Sequence, residues 1–549
     1  MITFVFHTHL PYVLHHGTWP HGSDWLCEAV AECYLPLLDM CDRLQREGIR
    51  PGITFDISPV LCEQLAHPDF PAVFEAYCTE HTALAEGDAA TLRENGAAEE
   101  MIPLTNYWSD WYAARWKMFD EQYGRDIIGA LKRLQDIGAI EIMTCGLTHG
   151  YLALLAEEAS IDMQIGLAVA SYERHFGRRP RGIWLPECAY RPAYAWRTLL
   201  PVSAYAVPRW REGIEQVMSR YGLDYFVTDQ GALENSHPIR NCPPNTEPSV
   251  FDLYRVGGEQ HPETAAVFTR NMTIALQVWS GQTGYPGDPD YLDFHKKYYR
   301  SALRSWRVTA NKADMQFKQP YVPQWAENRA RVHASHYVDI LEVSVKHRMN
   351  LVVTPPTVCL PFDTELFGHW WFEGPVFLEG VIRGIHASDV LRTTTATEQL
   401  QIVGPDRVIG LPESSWGRNG THEVWMNPEV QWTWEKEYHL EHRIRMLVEK
   451  SPPAMWDATM RRIMINVFRQ LLLAQASDWQ FLITTFSSKE YAEMRFHNHI
   501  SDAQHLCDMA ERYRSLQTFT KEDDDFVATC EGRDGIFTSE LEGYLDRHV

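Results

Sequence analysis

The chain has 549 residues, of which 45% are hydrophobic and 22% charged, enough core-forming material for roughly three to four domain-sized units and too much for global disorder. Its 50 Lys+Arg stand against 73 Asp+Glu, a net charge of −23. That balance excludes the basic footprint needed to bind nucleic acid or an anionic membrane surface, and no apolar run reaches the ~18 residues of a transmembrane helix.

In chain order, short apolar runs recur, each ending in a polar segment. They are predicted as strands at 2–10 (ITFVFHTHL), 53–58, 140–146, 182–187, 225–229, 274–280 (IALQVWS), 351–363 and 408–417. Helical patterns lie between many of them; EAVAECYLPLLDMCDRLQREG (28–48) is one, ending at Gly48 with basic residues in its last turns. Strands alternating with helices imply an α/β fold, a parallel sheet or β/α barrel with its chemistry at the strand C-termini. Residues 63–135 read as a mostly helical insertion, with Trp108, Trp111 and Trp116 in a polar setting. Residues 233–265 are rich in Pro and Asn without periodicity and are expected to be a functional or mobile loop. After about residue 420 the strand signal fades, and 456–479 and 494–516 read as amphipathic helices. Two domains are expected: 1–420, a β/α unit including the insertion, and 421–549, all helical.

The eleven cysteines are scattered, with no CxxC, and read as reduced thiols of a cytoplasmic protein, without a disulfide framework or zinc knuckle. The opening MITFVFHTHLPYV has no basic region and no small-residue cleavage site, so no secretory signal is expected. P-loop, HExxH, GxSxG and GxGxxG patterns are absent.

Two carboxylates stand out. Glu187, in GIWLPECAY, is delivered by a strand into a segment holding Trp184, Leu185 and Tyr190. A carboxylate in apolar surroundings has its pKa raised or needs a partner, and a salt bridge to Arg191 or Arg197 is the structural alternative. Asp363, in CLPFDTELFGHWW, ends another apolar strand beside Glu365, His369, Trp370 and Trp371; its alternative role is a helix N-cap. Paired carboxyls at strand ends among aromatic rings suit glycoside chemistry, in which one attacks the anomeric carbon and the other protonates the leaving oxygen. His7 and His9 share a strand face and could contact substrate hydroxyls, bind a metal or be structural. His149 in CGLTHGYL, Trp279, Gly287 and Asp288 in QVWSGQTGYPGDPDY, Trp416 and Trp425 in SSWGRNGTHEVWMN, and Asp478 in QASDWQF read as supporting parts. The 19 Trp, 24 Tyr and 23 Phe suit sugar rings, whose faces are apolar and whose edges are hydroxyls, as well as an aromatic core.

These motifs, in this order, resemble glycoside hydrolase family 57, in particular its 1,4-α-glucan branching subgroup. HTHLPYV, HGSDWLCEAVAECYLPLL, CGLTHGYL, WLPECAY, YFVTDQGAL and PFDTELFGHWWFEGP carry the family resemblance, while SSWGRNGTHEVWMN and LLLAQASDWQF carry the subgroup's. The resemblance implies an incomplete seven-stranded β/α barrel with a helical insertion and a C-terminal helical domain. It implies a retaining mechanism with Glu187 as nucleophile and Asp363 as acid/base, no cofactor and no metal. It places His7, His9, Trp25, His149, Arg270, Trp279, Gly287, Trp416, Trp425 and Asp478 along an α-1,4-glucan such as glycogen or amylose. It assigns no oligomeric state.

Departures from the family pattern are Gly231 where a His is usual, Arg418, Asn419 and Thr421 in the tryptophan motif, and no Tyr across 234–253, where the subgroup carries one on a loop over the site. Branching is the leading expectation. An α-amylase-like hydrolase or 4-α-glucanotransferase competes because that Tyr is missing. A metal-dependent deacetylase or mannosidase, suggested by His7 and His9, and a non-catalytic glucan binder are more distant.

Overall fold

The computed structural model describes residues 1–94, 101–244, 246–258, 261–299, 301–310, 312–351 and 355–547, with the backbone alone at 261–264. Among these, seven parallel strands follow one another around a barrel: β1 (Ile2–Thr8), β2 (Ile53–Ile57), β3 (Ile140–Cys145), β4 (Gly182–Trp184), β5 (Tyr225–Thr228), β6 (His261–Thr269) and β7 (Val358–Asp363). β7 pairs with β1, and the order then runs β1 to β6. β6 and β7 meet through a single bridge, Arg270 with Cys359, and one hydrogen bond, Asn271 N–H to the Cys359 carbonyl at 3.1 Å. The barrel is therefore incomplete along that seam.

Side-chain alternation sets the two faces. Val5, Met143, Cys145, Trp184, Tyr225, Val227, Ala266, Phe268 and Cys359 fill the interior. Ile2, Phe4, Phe6, Ile53, Phe55, Ile57, Leu360 and Phe362 face the covering helices. In register, His7 lies beside Asp56 on one side and Asp363 on the other. One polar row thus crosses β2, β1 and β7 at the top of the barrel.

Most expected elements are found, and four differ. Residues 274–280 are not a strand: Met272–Trp279 is a helix whose first turn is capped by the Asn271 side chain, which accepts from Ile274 N–H at 3.3 Å. The strand is the preceding His261–Thr269; a short apolar run does not separate the two conformations by itself, and the cap decides. The 351–363 run becomes strand only from Val358, with 352–354 outside the described residues. From 408–417 only Val408–Gly410 is strand, and it lies outside the barrel, between Tyr254–Gly258 and His237–Arg240. Within 233–265, His237–Arg240 and Tyr254–Gly258 are strands that extend the sheet, and the described residues between them, 241–244 and 246–253, carry neither helix nor strand.

Between β2 and β3 lie the long helices Phe70–Glu94 and Ile102–Lys117. Trp108 and Trp111 are buried there, and polar groups meet both: the Trp108 indole N–H donates to the Arg304 carbonyl, and the Arg115 guanidinium lies 4.4 Å from the Trp111 ring centre. Beyond residue 430 the chain is helical. Gln431–Lys450, Ala458–Ala474, Asp478–Thr484, Lys489–Leu516, Lys521–Asp534 and Thr538–Arg547 share a core built on Ile463, Leu471, Phe496 and Leu506. These helices are tied to the barrel top: Ser477 N–H donates to the His149 carbonyl at 3.0 Å, and Gly150 bridges to Ala476. No helix among the described residues is long and apolar enough to cross a membrane.

Candidate active site

The barrel top opens into a cavity of about 870 Å³ whose lining includes His7, His9, Trp25, His149, Glu187, Arg270, Trp279, Asp363, Trp416, Trp425 and Asp478. Eleven of the twelve expected site residues therefore meet in one place. Gly287 does not. It ends a short turn, Tyr285–Gly287, packed so closely on the Gly281 carbonyl that a Cβ would lie 2.2 Å from its oxygen. Its glycine serves that backbone approach.

Glu187 follows β4 with φ +63, in the left-handed region, and Cys188 follows at φ +49. Non-glycine residues held there cost free energy that surrounding contacts must offset; here they turn the carboxyl into the cavity. Trp416 Nε1–H donates to Glu187 Oε2 at 2.8 Å and Ser477 Oγ–H to Oε1 at 3.2 Å. Trp416 N–H also holds the Glu187 carbonyl at 3.0 Å. Neither Arg191 nor Arg197 pairs with it; buried Arg191 instead lies 3.8 Å from Glu158. Burial is the largest influence on Glu187 and pushes its pKa up to about 7 against the two donors.

Asp363 ends β7. Its side chain makes no cap hydrogen bond to the turn that follows, Thr364–Leu366. Burial, then the charges of Glu365 and Glu187, push its pKa well above the usual carboxylate range, with Arg270 opposing. Among the described residues none donates a hydrogen bond to its carboxyl. The two groups are thus driven apart: Glu187, with two donors, ionises first, and Asp363 holds its proton. Glu365, also raised to about 7 by burial, accepts from Tyr34 O–H at 2.6 Å.

Arg270 Nε–H donates to Asp229 Oδ1 at 2.8 Å, and its guanidinium lies 5.5 Å from the Trp416 ring centre. Trp416 is wedged edge-on between Trp184 and Trp279. Buried Trp425 packs on Tyr151 and lies nearly parallel to Phe481. Trp19, Trp370 and Phe481 join the rim, with Trp19 77% exposed. Flat aromatic faces around two carboxyls are suited to sugar rings.

The histidines lie behind Glu187 as a stack, His9 on His149 with ring centres 3.9 Å apart and His7 on Trp184 at 4.7 Å. His9 Nε2 sits 2.9 Å from Asp478 Oδ2 and its Nδ1 2.8 Å from Ser58 Oγ. His7 Nδ1 is 2.5 Å from Asp56 Oδ2. His149 Nε2 is 3.0 Å from His7 Nε2, and its Nδ1 is 2.8 Å from Ser477 Oγ. Two groupings here have metal-sized spacing, His7–Cys145–His149 and His9–His149–Asp478. Both depend on His149, whose two ring nitrogens are already hydrogen-bonded. Ligation at either grouping would compete with one of those two hydrogen bonds.

Asp56, Ser477 and Tyr34 were not expected at the site. Asp56 had a signal: Thr54, Asp56 and Ser58 alternate with apolar residues along one strand. Ser477 had none beyond its neighbour Asp478. Backbone packing behind Asp363 is equally demanding. Gly368 has φ +123, and a Cβ there would lie 1.9 Å from the Glu32 carbonyl oxygen. Gly368→Ala is expected to cost at least about 3 kcal/mol, read as a lower thermal unfolding midpoint.

Comparison with known proteins agrees with this geometry. The sequence profile of Glycosyl hydrolase family 57 matches residues 3–412, and that of "1,4-alpha-glucan branching enzyme, C-terminal" matches residues 437–541. The chain is 38% identical over 542 residues to a 1,4-alpha-glucan branching enzyme of Thermococcus kodakarensis, covering 98% of this chain and 77% of that one. The crystal structure of a family 57 branching enzyme from Pyrococcus horikoshii superposes with a TM-score of 0.89 at 36% identity, covering 99% of this chain and 96% of the other. The alpha-amylase AmyC of Thermotoga maritima gives 0.80 at 26% identity, covering 98% and 97%. With a profile match across most of its length and two carboxyls at the strand ends of a seven-stranded barrel, this chain belongs to glycosyl hydrolase family 57.

Proposed function

We propose that the protein is a retaining 1,4-α-glucan branching enzyme, with Glu187 as nucleophile and Asp363 as general acid/base. The observation that carries this reading is the joint construction of the site: Ser477 and Asp478, from the segment joining helices Ala458–Ala474 and Asp478–Thr484, reach Glu187 and His9 on the barrel. The helices around that segment are where the branching-enzyme C-terminal profile matches. Glu187, ionised, attacks C1 of an α-1,4-linked glucose as Asp363 gives its proton to the departing O4. Asp363, now a carboxylate, takes the proton from the 6-hydroxyl of a second chain. That oxygen displaces Glu187 from C1, forming an α-1,6 link and regenerating both groups. Trp279 and Trp416 present ring surface to the donor chain, buried Trp425 forms part of the wall against Tyr151, and Trp19, Trp370 and Phe481 extend the aromatic surface toward the mouth for an acceptor. The eleven cysteines, none of them paired, fit a reducing cytoplasm.

One observation favours a second reading, hydrolysis. Among the described residues none between Glu187 and Arg270 lines the cavity, so the described part of 233–265 adds no cover, and a wet intermediate is taken by water. Incubation with amylose, counting reducing ends before and after α-1,6 debranching, separates the two. New ends appearing only after debranching are the expected result. Equal increases without debranching would make water the acceptor and replace branching with hydrolysis.

A further inference from the structure

The hydrogen-bonded groups behind Glu187 form an unbroken chain from β2 to the nucleophile: Asp56, His7, His149, Ser477, Glu187. We infer that this chain is polarised, every hydrogen pointing toward Glu187, and that it begins at Asp56 as a protonated, neutral donor. Asp56 is thereby a positioning residue for the nucleophile, acting through two neutral histidines and a serine. The inference rests on Glu187 as the nucleophile.

The hydrogens can be assigned one at a time. An ionised Glu187 accepts from Ser477 O–H. Ser477, having spent its only hydrogen, must accept from His149 Nδ1–H. Neutral His149 then has a bare Nε2, 3.0 Å from His7 Nε2, so His7 carries its hydrogen there. Neutral His7 has a bare Nδ1, 2.5 Å from Asp56 Oδ2. Two bare acceptors cannot face each other at that distance, so Oδ2 carries a hydrogen.

Surroundings favour the same assignment. Asp56 is wholly buried, and its other oxygen, Oδ1, has no hydrogen-bond partner among the described residues. A carboxylate so placed would leave a charged acceptor unsatisfied, whereas a neutral acid leaves only a carbonyl. The titratable neighbours of Asp56 besides His7 are Glu365, whose charge opposes ionisation, and the Cys145 thiol, whose weak S–H donation favours the carboxylate but is outweighed by burial and Glu365. His7 and His149 are buried and face His9, a like charge when protonated, and burial holds both neutral. An Asp56–imidazolium ion pair would place two charges in this interior with one carboxylate oxygen bare. Around Glu187 itself stand Asp478, His9, Trp416 and Ser477.

Reversing the chain moves one proton from Asp56 Oδ2 to Glu187 Oε1. Each link hands on its hydrogen: Oδ2–H to His7 Nδ1, His7 Nε2–H to His149 Nε2, His149 Nδ1–H to Ser477, and Ser477 O–H to Glu187. The result is an anionic Asp56 and a protonated, non-nucleophilic Glu187. Burial of Asp56 disfavours that reversal, so the aspartic acid at the far end keeps the nucleophile charged.

Neutron diffraction from a deuterated crystal of the wild-type protein reads the assignment directly. Deuterons on Asp56 Oδ2, His7 Nε2 and His149 Nδ1 are expected; a deuteron on His7 Nδ1 would overturn the inference. The kinetic test compares two variants. Asp56→Asn offers an amide N–H where the acid offers O–H and is expected to lose less than about tenfold in kcat/KM. Asp56→Leu removes the donor, frees the tautomer and is expected to lose more than about a hundredfold and to move the acidic limb of the pH profile upward; a reversed imidazole tautomer beside a nucleophile costs about 10⁴ in kcat. An Asn variant as damaged as the Leu variant would mean Asp56 is an ionised acceptor. If the Leu variant does not fold, the deuteron positions and the Asn variant still decide. Full turnover in Glu187→Gln would instead overturn the nucleophile assignment and leave the neutron map standing.

Discussion

Replacing Glu187 by Gln is expected to lower glucan turnover by at least about 10⁴, the scale seen when a catalytic nucleophile is removed, with KM for amylose within a few-fold. The amide keeps the shape of the carboxyl at the cavity wall but cannot form a bond to C1. Two smaller variants separate its role from that of Asp363. With an activated maltooligosyl fluoride and added azide, Glu187→Ala should release the inverted β-azide, because azide fills the space left by the nucleophile. Asp363→Ala should release the retained α-azide, because the glucosyl-enzyme still forms and azide then attacks it from the acceptor side. Exchanged stereochemistry would exchange the two roles. Stability should move in the opposite sense to activity. Glu187 titrates near 7 in the folded protein, above its unfolded value, so its ionisation opposes folding as pH rises from about 4.5 through 7. The gap corresponds to up to about 3 kcal/mol. Glu187→Gln should therefore raise the thermal midpoint at pH 8 and leave it unchanged below pH 4.5.

Much of this site was legible because catalytic groups in a β/α barrel sit where strands end, and strand ends are visible in sequence. Glu187 and Asp363 each follow an apolar run closed by proline, and His7 follows the first. Their convergence was not legible from spacing, because it depends on register: His7, Asp56 and Asp363 align only once β2, β1 and β7 are paired. Resemblance supplied that step. Asp56 does not stand out in sequence because ITFDIS reads first as an apolar strand, and its polar alternation has meaning only once the inward face is known. Ser477 reaches Glu187 from between two C-terminal helices, 290 residues away in sequence, a contact no local pattern encodes. IALQVW fits both periods, so 274–280 reads as a strand in sequence, and the Asn271 cap makes Met272–Trp279 a helix instead. Gly287 shows the converse case: what the structure explains of its glycine is the close approach to the Gly281 carbonyl in a turn.

Trp416→Phe should move one limb of the pH profile and leave the other in place. In the proposed mechanism Glu187 acts ionised and Asp363 protonated, so the wild-type profile is expected to be bell-shaped, with its acidic limb near pH 7 from Glu187 and its alkaline limb from Asp363. Phenylalanine keeps most of the ring surface between Trp184 and Trp279 and keeps the backbone N–H bonded to the Glu187 carbonyl. It deletes only the Nε1–H that donates to Oε2 at 2.8 Å. A hydrogen bond to a charged group contributes about 1.5–3 kcal/mol, which raises the acidic limb by about one to two pH units. Turnover at pH 6 should fall by about 10- to 100-fold relative to wild type, with a much smaller loss at pH 8.5. Ser477→Ala removes the longer donor at 3.2 Å and should shift the same limb by less. The Trp416 indole N–H bonds to Glu187 and not to Asp363, so the alkaline limb is the internal control. Its movement in step with the acidic limb would mean that the indole acts on the whole cavity, and a change confined to KM would make Trp416 a sugar platform with no hold on the nucleophile.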